Sequence, residues 1–230
     1  MKQMGFLYET HAHTRTGFPC GKNTGDELVR YLKQLGYAGM ILTDHILTSE
    51  WQNVQTPEAW EARVNQLCTG FQAAKEEGMR LDFDVFQGWE YGYGWNHFLI
   101  YGLDREWLLS NPDCLSWDPV EYLHRVREAG AFVVHAHPFR EGVCSYLLIP
   151  DETDGVEVCS AMRSDEANRH AEDYAASYHK IRQGGTDLHW VNYERLCGVE
   201  TKRRPCDIRD YISILRSGEY SIFDRHPKNE

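Results

Sequence analysis

Short apolar runs alternate with amphipathic stretches along almost the whole chain, and this alternation limits the fold more than any other feature of the sequence. "GFLYETHAHT" opens as an extended segment. "NTGDELVRYLKQLG" places Thr24 three residues before Glu27, a capping-box spacing, and carries Leu28, Tyr31, Leu32 and Leu35 at helical period up to Gly36. "AGMILTDH" is a short apolar strand running into Asp44 and His45. In "TPEAWEARVNQLCTGFQAAKEEG", Thr56 is the expected N-cap, Pro57 the first helical residue, and Trp60, Val64, Leu67 and Phe71 a core-facing stripe. "LDFDVFQGWEY" and "NHFLIYGL" alternate like strands around Gly92-Tyr93-Gly94. A helix capped by Asp118 leads to the strand "AFVVHAHP". The rest continues as strand "GVEV", helix "SDEANRHAEDYAASYHKI", turn "GGTDLH", helix "DIRDYISILRSG" and strand "YSIF". The pattern predicts an α/β chain, residues 1–230 as one domain, with a parallel sheet or barrel and its function at the C-terminal ends of the strands.

The histidines are placed to use those ends. His11 and His13 stand at i and i+2 of the first strand, so both rings point to one face. Alone the pair means little, because 11 His in 230 residues give about half an H-x-H pair by chance. The wider distribution is more telling. His45, Glu90, His97, His137, Asp187 and His189 also fall at or just past predicted strand ends, whereas His124, His170, His179 and His226 fall in helices or the polar tail and read as structural or surface residues. A shared metal site follows. Mixed imidazole and carboxylate donors suit Zn, Mn or Fe, and there are too many for one tetrahedral ion, so two or three divalent metal ions are expected. Glu90, at a turn in mid-chain, is the natural bridging carboxylate.

Charge and cysteine content narrow the function. A net charge of -11 offers no field for a phosphate backbone, so stable nucleic-acid binding is not expected. The seven Cys are odd in number and include no C-x-x-C pair, which argues against a disulfide framework or a cysteine-rich zinc module. With no signal-peptide-like start and no membrane-length apolar window, the expected setting is cytoplasmic.

These motifs resemble the polymerase-and-histidinol-phosphatase (PHP) superfamily of metal-dependent hydrolases. His11-Ala12-His13, Thr43-Asp44-His45, Gly88-Trp89-Glu90 with His97, Ala136-His137-Pro138 and Gly185-Thr186-Asp187-Leu188-His189 follow that superfamily's order over nearly the whole chain. The resemblance implies a distorted (β/α)7 barrel with a metal cluster at its C-terminal rim. It also implies that His11, His13, Glu90 and Asp187 hold one metal, that Glu90, His97 and His137 hold a second, and that His45 and His189 belong to a third. Two departures stand out: Cys20 lies nearest the place where many relatives carry a further Asp or His ligand, and "SYHKIRQGG" is polar for a buried last strand.

The expected function is hydrolysis of a small phosphomonoester by a metal-bridging hydroxide. Arg140, with Lys22 as a weaker candidate, would bind the phosphate, and His45 or Asp44 would serve the leaving group. Hydrolysis of a C–N or cyclic ester bond on the same metals, or metal binding without turnover as a partner module, are the alternatives. Cys20 is expected to pack rather than ligate, and His135 to be a core or supporting histidine. The oligomeric state is left open.

Overall fold

The computed structural model describes residues 5–17, 19–51, 54 and 56–226. β1 (Phe6–Ala12), α1 (Gly25–Gln34) and β2 (Gly39–Leu42) form the expected βαβ unit, with β1 and β2 parallel. The Glu27 carboxylate accepts the Thr24 N–H at 2.9 Å, as the capping spacing predicts. β3 (His45–Leu47), which the sequence pattern does not announce, and α2 (Thr48–Trp51) follow. Then comes the long α3 (Pro57–Leu81), where Thr56 accepts from Ala59 N–H and Trp60, Val64 and Leu67 are buried. β4 (Asp84–Tyr93) and β5 (Asn96–Tyr101) form an antiparallel hairpin. α4 (Arg105–Ser110), α5 (Pro119–Glu128) and β6 (Phe132–Ala136) come next, with Asp118 capping α5.

The last third is β7 (Gly155–Ser160), α6 (Asp165–Ser177), β8 (Ile181–Gly185), β9 (Leu196–Thr201), α7 (Ile208–Ser217) and β10 (Tyr220–Arg225). Here the sequence reading needs two corrections. The helix expected to run through Ile181 ends at Ser177; His179 takes a left-handed φ of 52°, and Ile181 already belongs to β8. That polar last strand forms because its polar groups are used: Gln183 donates to Tyr101 Oη at 2.8 Å, and Arg182 pairs with Glu172 outside at 2.6 Å. β9 was not foreseen, since "LCGVET" is short and interrupted by glycine.

The strands run in the order β10-β9-β1-β2-β4-β5-β6-β7-β8, with β3 beside β4. The result is a nearly closed, distorted α/β barrel rather than the all-parallel sheet that simple alternation suggests. β5 runs against β4 and β6, and β9 runs against β1 and β10.

The barrel closes where β8 comes back to β1. Thr10 Oγ1 donates to Gly184 O at 2.6 Å, Leu188 N–H to His11 O at 2.8 Å, and His13 N–H to Leu188 O at 2.9 Å. Close approach at this seam depends on glycine. A Cβ on Gly184 would stand 2.9 Å from Gly198 O, and one on Gly198 would stand 2.4 Å from Tyr8 O. Buried side chains from several strands, among them Tyr8, Ile41, Leu99, Phe132, Val134 and Val199, pack with Tyr211, Ile212 and Leu215 of α7.

Gly198→Ala therefore forces backbone apart at the seam. The expected loss is about 1–3 kcal/mol, read as a lower urea midpoint with an unchanged slope; an unaltered midpoint would mean that the seam yields freely.

Candidate metal centre

The rim collects side chains that the sequence scatters over most of its length. His11 stands one residue before the end of β1 and His13 follows it; both are fully buried, with ring centroids 4.9 Å apart. The exit of β2 delivers Asp44 and His45, β4 carries Glu90, β6 is followed by His137, and β8 by Asp187 and His189. His97 departs from expectation, because it lies at the start of β5 and not at a strand end. As β5 is antiparallel, its start reaches the same rim, opposite Gly92 and Ala136. Two of these residues adopt positive φ, His137 at 29° and Asp187 at 61°. For side chains other than glycine this is a strained backbone, of the kind that gathers at functional sites.

Glu90 is the hub. Its carboxylate oxygens lie 2.6 Å from His45 Nδ1, 2.8 Å from His97 Nδ1, 3.3 Å from His137 Nε2, 3.4 Å from His11 Nε2 and 3.5 Å from His13 Nε2. Asp187 Oδ1 lies 3.2 Å from His13 Nε2, 3.3 Å from His189 Nδ1 and 3.5 Å from His11 Nε2. Two donors bound at about 2.0–2.1 Å to one tetrahedral ion stand about 3.3 Å apart by trigonometry. The separations around His11 and His13 match that spacing. Candidate donors fall into overlapping sets, His11/His13/Glu90, His11/His137/Asp187, His45/Glu90/His97 and His13/His45/His189, each within 4.8 Å. His13 thus joins the His45–His189 pair, a third donor that the resemblance did not assign there.

Electrostatics and unmet polar atoms agree with the spacing. Burial alone would raise the carboxyl of Glu90, yet the imidazoles of His97, His45 and His11 hold it well below its usual range. Burial opposes charge on His11 too, but Glu157, Glu90 and Asp187 carry it well above the ordinary imidazole value. So strongly negative a potential draws in cations. His13 is the converse: burial, His45 and His189 push it far down, leaving a neutral ring able to ligate. Among the described residues, His11 Nε2 and both ring nitrogens of His13 are buried without an aligned hydrogen bond, an arrangement that is costly unless a ligand completes it. The residues present fit divalent ions.

Behind the donors lies a layer of carboxylates. His11 Nδ1 meets Glu157 Oε1 at 2.9 Å, which keeps the proton on Nδ1 and aims Nε2 into the cluster, while Glu157 Oε2 accepts His137 N–H at 3.0 Å. Glu9 Oε1 accepts the N–H groups of Thr10, His11 and Thr186, each at 2.9 Å. Asp44 takes the Thr14 N–H on Oδ1 and the Thr14 hydroxyl on Oδ2, both at 2.6 Å. It fixes the loop after His13 and does not line the cavity in front of the donors.

No family model matches the chain, and no curated protein matches it in sequence. Solved structures do. A two-domain protein from Bacteroides vulgatus containing a predicted PHP-like metal-dependent phosphoesterase is 16% identical, with a TM-score of 0.69 over 95% of this chain. The chain spans 64% of that protein's length. A candidate metal-dependent phosphoesterase from Bifidobacterium adolescentis is 16% identical, with a TM-score of 0.56 and coverage of 91% of this chain and 95% of that one. An amidohydrolase from Chromobacterium violaceum, with bound sulfate and no metal, is 16% identical, with a TM-score of 0.60 and coverage of 96% and 98%. The chain has the PHP-like fold.

In this PHP-like barrel a cavity of about 410 Å³ opens onto the donors and is lined also by Cys20, Lys22, Arg140, Met162, Arg163 and Trp190. Arg163 was not foreseen. It lies just past β7, where "SAMRS" carries no motif, and its Nη2 reaches Asp187 Oδ2 at 3.3 Å. Glu157 and Glu9 were missed too, since each reads as an ordinary strand carboxylate. Cys20 faces the cavity; burial raises its thiol, but hydrogen bonds with His189 and His45 outweigh this and bring it to about 7. It belongs to none of the donor sets. His135 does not line the cavity: its ring stacks on Phe98 at 4.5 Å, and burial with His137 and His97 nearby lowers it to about 3, a neutral core histidine. His124 is exposed beside Glu152, and His226 bonds Glu194 O outside the site.

Two outcomes are expected from this geometry. Glu90→Gln lowers the content of two metals together, because an amide bridges cations poorly; elemental analysis of desalted protein at full metal content would remove the bridging role. Glu157→Gln keeps the shape but weakens the grip on the His11 imidazole, reducing zinc affinity by roughly ten- to a hundredfold. Competition against a chromophoric chelator measures it, and equal affinity would separate Glu157 from metal binding.

Proposed function

We propose that this chain is a metal-dependent hydrolase acting on a small phosphomonoester. The observation that supports the reading best is the cavity itself, in which a buried imidazole–carboxylate cluster shares one small-molecule-sized space with Arg140, Arg163 and Lys22. Divalent ions held by His11, His13, Glu90, His97, His137 and Asp187, with His45 and His189, would supply an activated water and neutralise charge developing on the phosphoryl oxygens.

The remaining work falls to side chains of this chain. Arg140 lies 5.3 Å over the Trp95 ring, and among the described residues its buried Nε has no partner, which suits it to a phosphate. Arg163 is committed to Asp187 and orients that carboxylate. Lys22 is exposed and its Nζ turns back to Pro19 O at 3.4 Å, which suits capture of an anion at the mouth. Of the two groups expected to serve the leaving oxygen, Asp44 has both oxygens on Thr14. That leaves His45, at the Glu90 carboxylate, as the group placed to serve the leaving oxygen in this reading, as a proton donor when its ring does not hold an ion.

Hydrolysis of a C–N bond is the second reading, and the amidohydrolase among the structural neighbours favours it. The test compares p-nitrophenyl phosphate with an aryl amide and a cyclic phosphodiester at equal Mn(II) or Zn(II). Turnover of the monoester is expected, with Arg140→Ala raising KM roughly ten- to a hundredfold, the loss of one charge-assisted bidentate contact. Turnover confined to the amide or the cyclic ester would overturn the phosphomonoester reading.

A further inference from the structure

Away from the metal centre, two thiols meet across the barrel seam. Cys159 in β7 and Cys197 in β9, separated by 38 positions, approach to 2.6 Å between their sulfurs. That is well inside ordinary non-bonded contact and close to the bonded distance of about 2.05 Å. Their strands are not hydrogen-bonded neighbours: β7 is bordered by β6 and β8, and β9 by β1 and β10. The contact therefore spans the place where the sheet lacks a regular ladder. The Cys197 side of the contact is held by its backbone. Thr186 Oγ1 donates to Cys197 O at 3.0 Å and accepts Cys197 N–H at 3.2 Å, and Gly184 lies against Gly198 behind them. Cys159 is half-buried and reachable, whereas Cys197 is fully buried.

We propose that Cys159 and Cys197 are a disulfide-forming pair that, on reaction with a low-molecular-weight disulfide, covalently staples β7 to β9 across the seam. The Cys159 thiolate attacks the small disulfide and expels one small thiolate, giving a mixed disulfide on Cys159. The Cys197 thiolate then attacks the Cys159 sulfur and expels the second. The two protons lost by the protein thiols go to the two departing thiolates, so one small disulfide is reduced to two thiols as one protein disulfide forms. Asp224 lies close enough to suggest a zinc site with the two sulfurs. Arg195 argues against it: Nε donates to Asp224 Oδ1 at 2.9 Å and Nη2 to Oδ2 at 2.6 Å, so both oxygens are taken and a guanidinium occupies the place of the cation.

The staple joins segments that carry site residues, since Arg163 follows Cys159 by four positions and Thr186, which bonds Cys197, directly precedes Asp187. The pairing itself does not depend on the proposed hydrolysis and is tested separately. The full chain is incubated with oxidised glutathione, denatured, alkylated and mapped by mass spectrometry. Two of its seven cysteines are expected to become unreactive, joined as a Cys159–Cys197 peptide, with the melting temperature higher by about 5–10 °C. Cys197→Ser is expected instead to accumulate glutathione on Cys159. Seven alkylated cysteines after oxidation, a linkage through other residues, or a cross-link without a rise in melting temperature would overturn the proposal. So would a Cys159→Ser/Cys197→Ser variant that binds one zinc fewer than the wild type.

Discussion

One buried carboxylate organises this molecule. Glu90 is fully buried, within 3.5 Å of imidazoles from His11, His13, His45, His97 and His137, residues drawn from several elements of the rim. An anion so placed is tolerated only because positive charge or hydrogen bonds surround it. The β4–β5 hairpin puts His97 beside it, β3 pairs with β4 to hold His45 opposite it, and the closing seam brings β1 within reach. The barrel and the carboxylate thus depend on each other: the strands deliver the imidazoles, and the imidazoles make it possible to bury the charge.

The supporting layer has a logic of its own. Glu157, Glu9 and Asp44 are buried acids that face backbone N–H groups or a ring nitrogen and not the cavity. Each fixes one part of the rim: Glu157 the His11 ring on β1 and the His137 backbone after β6, Glu9 the start of the Asp187 loop, Asp44 the loop after His13. Burial raises Glu9 to about 7 and Asp44 to about 6, although hydrogen bonds to Thr186 and Thr14 work the other way. Such groups give a rigid frame to donors that would otherwise hang on loops.

How much of this could be read in the sequence divides along a physical line. Local chemistry was legible: the caps of α1, α3 and α5 and the apolar stripe of α3 follow from residues a few positions apart. The H-x-H, T-D-H, A-H-P and G-T-D-x-H segments could be placed at the rim for the same reason. What depended on pairing between distant segments was not legible. His97 was assigned to a strand end because nothing local gives the direction of β5, and β9 escaped because its identity as a strand comes from β1 and β10 on either side. Glu157 and Arg163 likewise gain their meaning only once β7 faces His11 and Asp187. The expectation that Asp44 serves the leaving group rests on its neighbour His45, whereas its bonds to Thr14 belong to a loop conformation that no periodicity encodes.

The closing seam also sets the order in which this protein can become competent. Glu9 bonds Thr186 over 177 positions of sequence, and His11 and Asp187 converge beside it. During synthesis the first donors emerge long before the last, so the cluster is incomplete until nearly the whole barrel has been made. Such long-range closure is slow, because the chain entropy is lost before the contacts that compensate for it exist. A growing chain with His11 and His13 already exposed thus carries a half-built cation trap, and only the arrival of β8 turns it into a site with a defined geometry.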